Sequence, residues 1–264
     1  MFAKHSCNCS KKIQEKSKIA AGIFGWFHFY LQDNQKYFCL FEKTTAPAQI
    51  NKTGKFMRPQ QYTKQKKNRA QNIENILTAA EIIFAQFGYN GASISRIAEE
   101  AGLPKSNVVY YFSTKELLYR TVVEDIFNVW RAAADEIVED ADPREALGSY
   151  IDTKMELART RPYGSMVWAN EIIQGAPIVQ DYLETELRSW TEERVNVIHK
   201  WIAAGKIRPI SPKHLLFTIW ATTQHYADFK HQISTLNEGS DLNDAQWEET
   251  KQAVKELLLF GICH

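Results

Sequence analysis

The most constraining feature of this sequence is a stretch in which two very short helical segments flank a glycine. It reads Ser93-Ile-Ser-Arg-Ile-Ala-Glu-Glu-Ala-Gly102-Leu-Pro-Lys-Ser-Asn-Val-Val-Tyr-Tyr-Phe112. Ser93 is a residue type that caps helix N-termini, and Gly102 suits a turn that requires a positive φ. Such short helices are unstable alone in water. We therefore expect this unit to be held in shape by longer neighbouring helices.

Longer helices are predicted on both sides of this unit. Before Gly88, which we expect to end the first helix, apolar residues recur at helical steps of three and four. They are Ile73, Ile76, Leu77, Ala80, Ile83, Phe84 and Phe87. After the unit, Ser113 and Glu116 have the spacing of a capping box, which predicts a long helix reaching about Glu139. This order of helices, with a tight turn before the third, predicts a helix-turn-helix unit.

The rest of the chain shows helical periods and none of the alternation typical of strands. Helix starts are predicted at Asp142-Pro143, Pro162 and Ser211-Pro212, because proline is favoured in a first helical turn. Ser211-Pro212 opens a helix expected to reach about residue 232, and others are expected over residues 179–203 and 244–260. We therefore predict an all-α chain, with an N-terminal three-helix helix-turn-helix domain and a C-terminal helical domain.

Charge is distributed unevenly along the chain. Residues 1–56 carry nine Lys against three acidic residues, residues 57–115 have a net charge of +4, and residues 116–264 have a net charge of −9. A basic module joined to an acidic remainder is typical of a protein that binds a polyanion. Chance clustering of solvated charge is the plainer alternative.

These patterns divide the chain into three parts. Residues 1–56 are an atypical N-terminal extension, either disordered or upstream of a natural start at Met57; a membrane tether or a partner-binding arm is the alternative. Their uncharged run at 19–31 is too short to span a bilayer as a helix. Residues 57–121 are predicted to form the DNA-binding domain, and residues 122–264 a helical domain for ligand binding and dimerisation.

Cysteine and histidine positions predict neither a metal site nor a cofactor. The cysteines are Cys7, Cys9, Cys39 and Cys263. None of them forms a Cys-x-x-Cys pair, so a zinc site or a disulfide framework is not supported and a cytoplasmic location is the default. His225 and Asp228, three residues apart, lack a third convergent ligand.

The candidate DNA-reading residues begin the second short helix. In a helix-turn-helix the residues near the N-terminus of that helix face base edges in the major groove. A lysine there can donate to guanine or to a phosphate, and an asparagine has the donor and acceptor that adenine requires. The candidates for contact with double-stranded DNA are Ser93, Lys105, Ser106, Asn107, Tyr110, Tyr111 and Lys115. The alternative is an ordinary three-helix bundle in which Tyr111 and Phe112 are core aromatic residues and Lys115 is a solvated lysine.

Residues 68–121 resemble the DNA-binding domain of the TetR family of transcriptional regulators. The resemblance rests on Ile97-Ala-Glu-Glu-Ala-Gly-Leu103, Tyr110-Tyr-Phe112 and Ser113-Thr-Lys-Glu116. It implies an all-helical homodimer that binds a palindromic operator. It also implies phosphate roles for Ser93, Tyr111 and Lys115, and base-edge roles for Lys105, Ser106, Asn107 and Tyr110. Val109 departs from the pattern, because many members have a tyrosine there.

The C-terminal half resembles the pyrimidine-utilisation regulators within this family. The resemblance rests on Gln174-Gly-Ala-Pro177 and on Ile219-Trp-Ala-Thr-Thr-Gln-His-Tyr-Ala-Asp-Phe229, and it implies a pocket for a small planar effector, such as uracil, that releases DNA. Trp220 and Gln224 share one helix face, so a stacking surface lies beside an amide with one donor edge and one acceptor edge. The predicted ligand-binding residues are Trp168, Glu171, Trp220, Thr223 and Gln224.

Three alternatives remain open for the function. Aromatic residues at helical spacing are usually core, so Trp168 and Trp220 could serve packing alone. The protein could be an architectural DNA binder without an effector or, less favoured, a helical enzyme using Glu171 and His225 as acid and base. No nucleophile, cofactor loop or metal constellation supports catalysis, so we predict no enzyme. The leading hypothesis is a ligand-responsive repressor without a membrane partner. It is homodimeric through its last helices; the alternative is that these helices pack wholly within one subunit.

Overall fold

The computed structural model of the protein describes residues 59–263. One compact unit spans Asn68–His264. In the described range the elements are helices and connecting turns, and extended backbone there pairs only in one isolated antiparallel bridge. The prediction of an all-α fold is confirmed. The predictions for residues 1–56 and for a start at Met57 lie outside the described residues.

The helices of the described part follow one another along the chain with short connections. They are α1 (Pro59–Gly91), α2 (Ile94–Glu100), α3 (Lys105–Tyr111), α4 (Lys115–Ala133), α5 (Pro143–Thr160), α6 (Pro162–Ile173), α7 (Gln180–Tyr182), a π-helical turn (Leu183–Leu187), α8 (Arg188–Ala203), α9 (Pro212–Asp228), α10 (Lys230–Leu236) and α11 (Asp244–Leu259). None of these helices has both the length and the apolar character needed to cross a membrane.

Helices α2 and α3 are the predicted short pair. The Ser93 hydroxyl caps α2 by accepting a hydrogen bond from the Arg96 amide at 3.3 Å. Gly102 has a φ of +63° in the turn, a conformation that favours glycine. Both predictions are confirmed. The inward side chains of Ile97 and Val108 are fully buried, which gives these short helices the tertiary support they require.

Helix α4 differs from its predicted boundaries at both ends. Its N-cap is Thr114, whose hydroxyl accepts a hydrogen bond from the Leu117 amide at 3.0 Å, so the predicted cap at Ser113 was wrong by one residue. The helix ends at Ala133 rather than near 139, because the Ala134 amide bonds three residues back instead of four. Near its N-terminus, Tyr119 packs edge-on against Phe84 of α1 at 4.8 Å between ring centroids.

Two further helix ends depart partly from the sequence pattern. Gly88 breaks the helical path of α1 with a φ of +65°, as its predicted role as a stop indicated, but a last turn continues to Gly91. Helix α9 ends at Asp228 rather than near 232. The non-helical backbone of Phe229 separates it from α10.

Helix α9 lies at the centre of the C-terminal helices, where it contacts α5, α6, α8, α10 and α11. Helix α4 packs against α5 and α6 and joins these helices to the helix-turn-helix unit. The core between them is rich in large aromatic residues, among them the buried Tyr150, Trp190, Trp201 and Trp247. The aromatic side chains predicted to bind a ligand therefore border the core itself.

Candidate nucleic-acid interface and ligand site

The predicted base-reading residues lie at the start of α3. Lys105 and Ser106 are exposed, Asn107 is half-buried, and Tyr110 is 71% exposed. Positions 105, 106, 109 and 110 fall on one face of a helix, and Val108 lies fully buried on the opposite face. The structure thus brings the lysine, the serine and the tyrosine together on one open surface.

The predicted phosphate contacts surround this surface and already have partners within the protein. The Lys115 ammonium donates hydrogen bonds to the Tyr89 carbonyl at 2.8 Å and to the Ala92 carbonyl at 3.2 Å. It also lies 4.3 Å from the centroid of the Tyr89 ring. Ser93 is exposed at the N-cap of α2, and Tyr111 is half-buried with its ring against that of Tyr110. Sequence reasoning did not foresee the contacts of Lys115 with the α1–α2 corner.

Trp168 and Trp220 belong to one continuous aromatic cluster, which comprises Phe127, Trp130, Trp168, Trp190 and Trp220. Trp168 stacks on Phe127 at 6.0 Å between centroids and meets Trp130 edge-on at 5.5 Å. Trp220 stacks on Trp190 at 6.1 Å, and Phe127 contacts Trp190 at 5.8 Å. Both predicted tryptophans are half-buried, and the structure connects them through two intervening rings.

The other predicted ligand residues differ in how their polar atoms are used. Gln224 is half-buried, one turn after Trp220 on α9. The Thr223 hydroxyl is buried and donates a hydrogen bond to the Ile219 carbonyl at 2.7 Å. In the described part of the chain, the Gln224 side chain has no internal hydrogen bond, whereas the Thr223 hydroxyl has one.

Glu171 is held entirely by internal hydrogen bonds. It is 2% exposed, and its carboxylate accepts from the Tyr119 hydroxyl at 2.9 Å and from the amides of Ile178 and Val179 at 2.8 and 3.2 Å. Burial and the adjacent Glu171 charge raise the pKa of Tyr119, which keeps its hydroxyl a donor. Glu171 thus connects α4 to α6 and to the turn before α7.

Polar groups on α5 form a part of the site that the sequence prediction missed. Lys154 is 3% exposed, and its Nζ lies 3.9 Å from the centroid of the Trp130 ring. Burial lowers the pKa of Lys154 to about 7, opposed by the charge of Asp228. One turn earlier, the buried Tyr150 hydroxyl accepts a hydrogen bond from Trp220 Nε1 at 3.0 Å. A lysine inside the apolar stripe of α5 was the available signal in the sequence.

A buried ionic group connects the helix-turn-helix unit to the C-terminal helices. Arg161, at the corner between α5 and α6, donates to Glu81 of α1 at 2.8 Å and to Asp125 of α4 at 2.7 Å. Burial raises the pKa of Glu81, although the positive charge of Arg161 opposes the shift. The three side chains therefore join three helical segments at one point.

The described residues offer little for catalysis. No group of three His, Cys, Asp or Glu side chains within that range is placed to hold a metal ion. Glu171 is hydrogen-bonded as above, whereas His225 is exposed and stacks on Phe229 at 4.8 Å. An acid–base pair formed by these two residues has no support from this geometry.

Comparisons with known proteins give the same picture. Residues 76–122 match the family model described as bacterial regulatory proteins, tetR family, and residues 123–264 match the YcdC-like protein, C-terminal region. The chain is 38% identical to the HTH-type transcriptional regulator RutR of Escherichia coli O157:H7. The 199 aligned residues cover 75% of this chain and 94% of that protein.

Solved structures show the same fold. One is AibR in complex with isovaleryl coenzyme A and operator DNA, with a TM-score of 0.56 and 17% identity over 70% of this chain and 97% of that one. Another is the ketosteroid transcriptional regulator KstR2 of Mycobacterium tuberculosis, with a TM-score of 0.55 and 20% identity. The match covers 72% of this chain and 96% of that one. The family and its members are regulators rather than enzymes. The chain belongs to the TetR family and is a helix-turn-helix transcriptional regulator.

Proposed function

We propose that this regulator is a homodimeric repressor that binds a palindromic operator and leaves it when a flat, pyrimidine-like effector binds among the C-terminal helices. The observation that carries the proposal is the presence, in one unit, of an open polar face on α3 and of a half-buried aromatic cluster that α4 joins to it. The DNA-binding domain would comprise residues 57–121, and the effector and dimer domain residues 122–264.

The face of α3 supports the DNA-binding part of the proposal. Lys105, Ser106 and Asn107 stand where a recognition helix presents side chains to base edges, and Tyr110 lies one turn further along. Ser93, Tyr111 and Lys115 flank them and would contact phosphates, which fix the orientation of the protein on the duplex.

The aromatic cluster supports the effector part of the proposal, together with the similarity to RutR. Trp168 and Trp220 offer flat surfaces for stacking, and Gln224 offers a donor and an acceptor to a ring edge. Thr223 and Glu171 already use their polar atoms within the protein. We therefore give these two residues a positioning role beside the effector.

Helix α4 would transmit the effector signal. Its N-terminal residue, Lys115, contacts the α1–α2 corner, and its later residues Phe127 and Trp130 belong to the aromatic cluster. An effector that binds better to one position of α4 shifts the population toward it. Because Arg161 contacts both α1 and α4, a movement of α4 also changes the placement of the DNA-reading unit.

Exposed apolar residues on the last helices support the homodimer. Phe217 and Phe229 on and after α9, and Leu257 and Phe260 on and after α11, are all exposed. Apolar patches of this kind mark protein–protein contacts, and two helices from each of two subunits form a four-helix seam in many helical dimers.

The test starts with selection of bound duplexes from a random library, followed by fluorescence anisotropy with the selected DNA. We expect inverted repeats, dissociation on addition of uracil, and a mass by light scattering of two chains. Lys105→Ala should weaken operator binding about 10- to 100-fold through the loss of a base contact, whereas Lys213→Ala, an exposed lysine on α9, should not. Trp220→Ala should bind DNA but resist uracil. Selected DNA without a common sequence would instead indicate an architectural binder.

A further inference from the structure

A lysine side chain lies inside the C-terminal helices without an acceptor of its own. Lys154 stands in the middle of α5, within a run of buried positions that includes Ile151 and Met155. In the part of the chain that the structure describes, its ammonium forms neither an ion pair nor a hydrogen bond. Its contact there is with the face of the Trp130 ring, at 3.9 Å from the centroid.

An ammonium at this position is destabilising. A buried ion loses its hydration, and a single cation–π contact offsets only a part of that loss. The lowered pKa of Lys154 reports the same penalty, because burial favours the neutral amine. A methionine of similar length would fill the space without the penalty. The lysine therefore contributes something other than packing of the ligand-free protein.

The groups that surround Lys154 also belong to the proposed effector site. Trp130 meets Trp168 edge-on, and Tyr150, one turn before Lys154, accepts a hydrogen bond from Trp220 Nε1. On α9, Asp228 stands on the same helix face as Trp220, two turns later. Its carboxylate accepts a hydrogen bond from the Ser165 hydroxyl at 2.6 Å. Flat walls, an ammonium and a carboxylate thus occur together between α4, α5, α6 and α9.

We propose that Lys154 anchors the effector by donating hydrogen bonds from its ammonium to an acceptor oxygen on a flat ring, while Asp228 accepts from a ring N–H. The matching ligand class is a flat cyclic amide or ureide, in which a carbonyl oxygen stands next to an N–H group. The inference rests on the proposed effector-responsive function and adds the residue and the ligand chemistry. Without ligand, the buried ammonium of Lys154 has no acceptor, and this lowers the free energy of unfolding. Binding of the effector supplies the acceptor and removes that penalty.

The test compares wild type with Lys154→Met, which keeps the length of the side chain and removes the ammonium. The matched control is Lys200→Met, at an exposed lysine on α8 that pairs with Glu139 at the surface. Each protein is melted alone, with uracil, and with unsubstituted pyrimidine, which has the ring but neither the oxygen nor the N–H. Dissociation constants for uracil are measured by calorimetry.

We expect uracil to raise the Tm of wild type and of Lys200→Met, and pyrimidine to leave both unchanged. Lys154→Met should bind uracil at least tenfold more weakly and, without ligand, should melt at a higher temperature than wild type. A dissociation constant within twofold of wild type overturns the proposal, and so does a lower Tm of the ligand-free variant. If Lys154→Met does not fold, the dissociation constant of Lys154→Gln decides in the same way.

The proposed function is tested separately by operator binding. If wild type binds the selected DNA but its Tm does not rise with uracil, the ligand class inferred here is wrong. The assignment of the chain as a DNA-binding regulator is unaffected by that result. Wild type and Lys154→Met that both lose DNA equally on addition of uracil would contradict the anchoring role while supporting the effector response.

Discussion

An Arg161→Met substitution removes the cation that lies between two buried carboxylates. The guanidinium contacts Glu81 on α1 and Asp125 on α4, whose side chains are 7% and 9% exposed. Without Arg161, both carboxylates lose a charge-assisted hydrogen bond and keep their desolvation. We expect the substitution to weaken the connection between the DNA-reading unit and the C-terminal helices.

The expected loss follows from this geometry. Breaking a buried ion pair by removing one partner typically lowers the free energy of unfolding by about 3 to 5 kcal/mol. The Arg161 side chain is 30% exposed, so water screens part of the interaction and the lower value, about 3 kcal/mol, applies. For a unit of this size each kcal/mol shifts Tm by about 2 to 4 °C, which gives a fall of roughly 6 to 12 °C.

The assay is thermal and urea denaturation of Arg161→Met beside Arg159→Met. Arg159 lies two residues away and pairs with the exposed Asp244 at the surface, so its loss should change the free energy of unfolding by at most about 1 kcal/mol. Similar losses in the two variants would refute the argument, because they would show that burial of the carboxylates adds nothing.

The same variant carries a pH signature. Burial already raises the pKa of Glu81, and removal of the guanidinium raises it further. A carboxyl whose pKa is higher in the folded state than in the unfolded state stabilises the fold when protonated, and that stability is lost as the pH rises through the folded pKa. The deficit in unfolding free energy of Arg161→Met should therefore shrink as the pH falls from neutral through the raised folded-state pKa of Glu81. A stability difference between Arg161→Met and wild type that does not change with pH would contradict a raised pKa of Glu81.

Two further predictions concern α4 and α5. Thr114→Ala removes the cap of α4 and should lower the free energy of unfolding in urea by about 1 kcal/mol, whereas Ser113→Ala should change it little; the reverse order would restore Ser113 as the cap. Because burial lowers the pKa of Lys154 to about 7, the unfolded chain binds that proton more tightly, and wild type should gain stability relative to Lys154→Met between about pH 7 and about pH 9. Parallel pH curves for the two proteins would show that burial does not lower the pKa of Lys154.

The sequence predicted the helices better than the partners of their side chains. The periodic apolar stripe before Gly88, the cap at Ser93 and the turn at Gly102 depend on neighbours in sequence. The structure has the cap, the turn and most of the stripe, but Phe87, the last residue of the stripe, is 46% exposed. Ser113 and Thr114 both carry hydroxyls that can cap a helix, so only the backbone at that position distinguishes them. Likewise, no glycine or proline marks the end of α9 at Phe229.

The candidate ligand site was predictable only in outline. Spacing placed Trp220 and Gln224 on one face of a helix, but the approach of α5 to that face is a tertiary contact between segments some 70 residues apart. For the same reason, Glu171 could be recognised as a buried carboxylate candidate but not as the acceptor for Tyr119. Packing between distant segments decides which polar atoms remain available to a ligand.

The position of the Lys115 ammonium has a consequence for the energetics of DNA binding. Two of its three N–H donors are directed to the carbonyls of Tyr89 and Ala92, so its flexible chain has already lost most of its rotational freedom. A phosphate that met the third donor would immobilise no free lysine, and the entropic penalty that usually accompanies a lysine–phosphate contact would be small. The loss of side-chain entropy of Lys115 would thus occur during folding, at the corner where α1 and α2 join, and not on DNA binding.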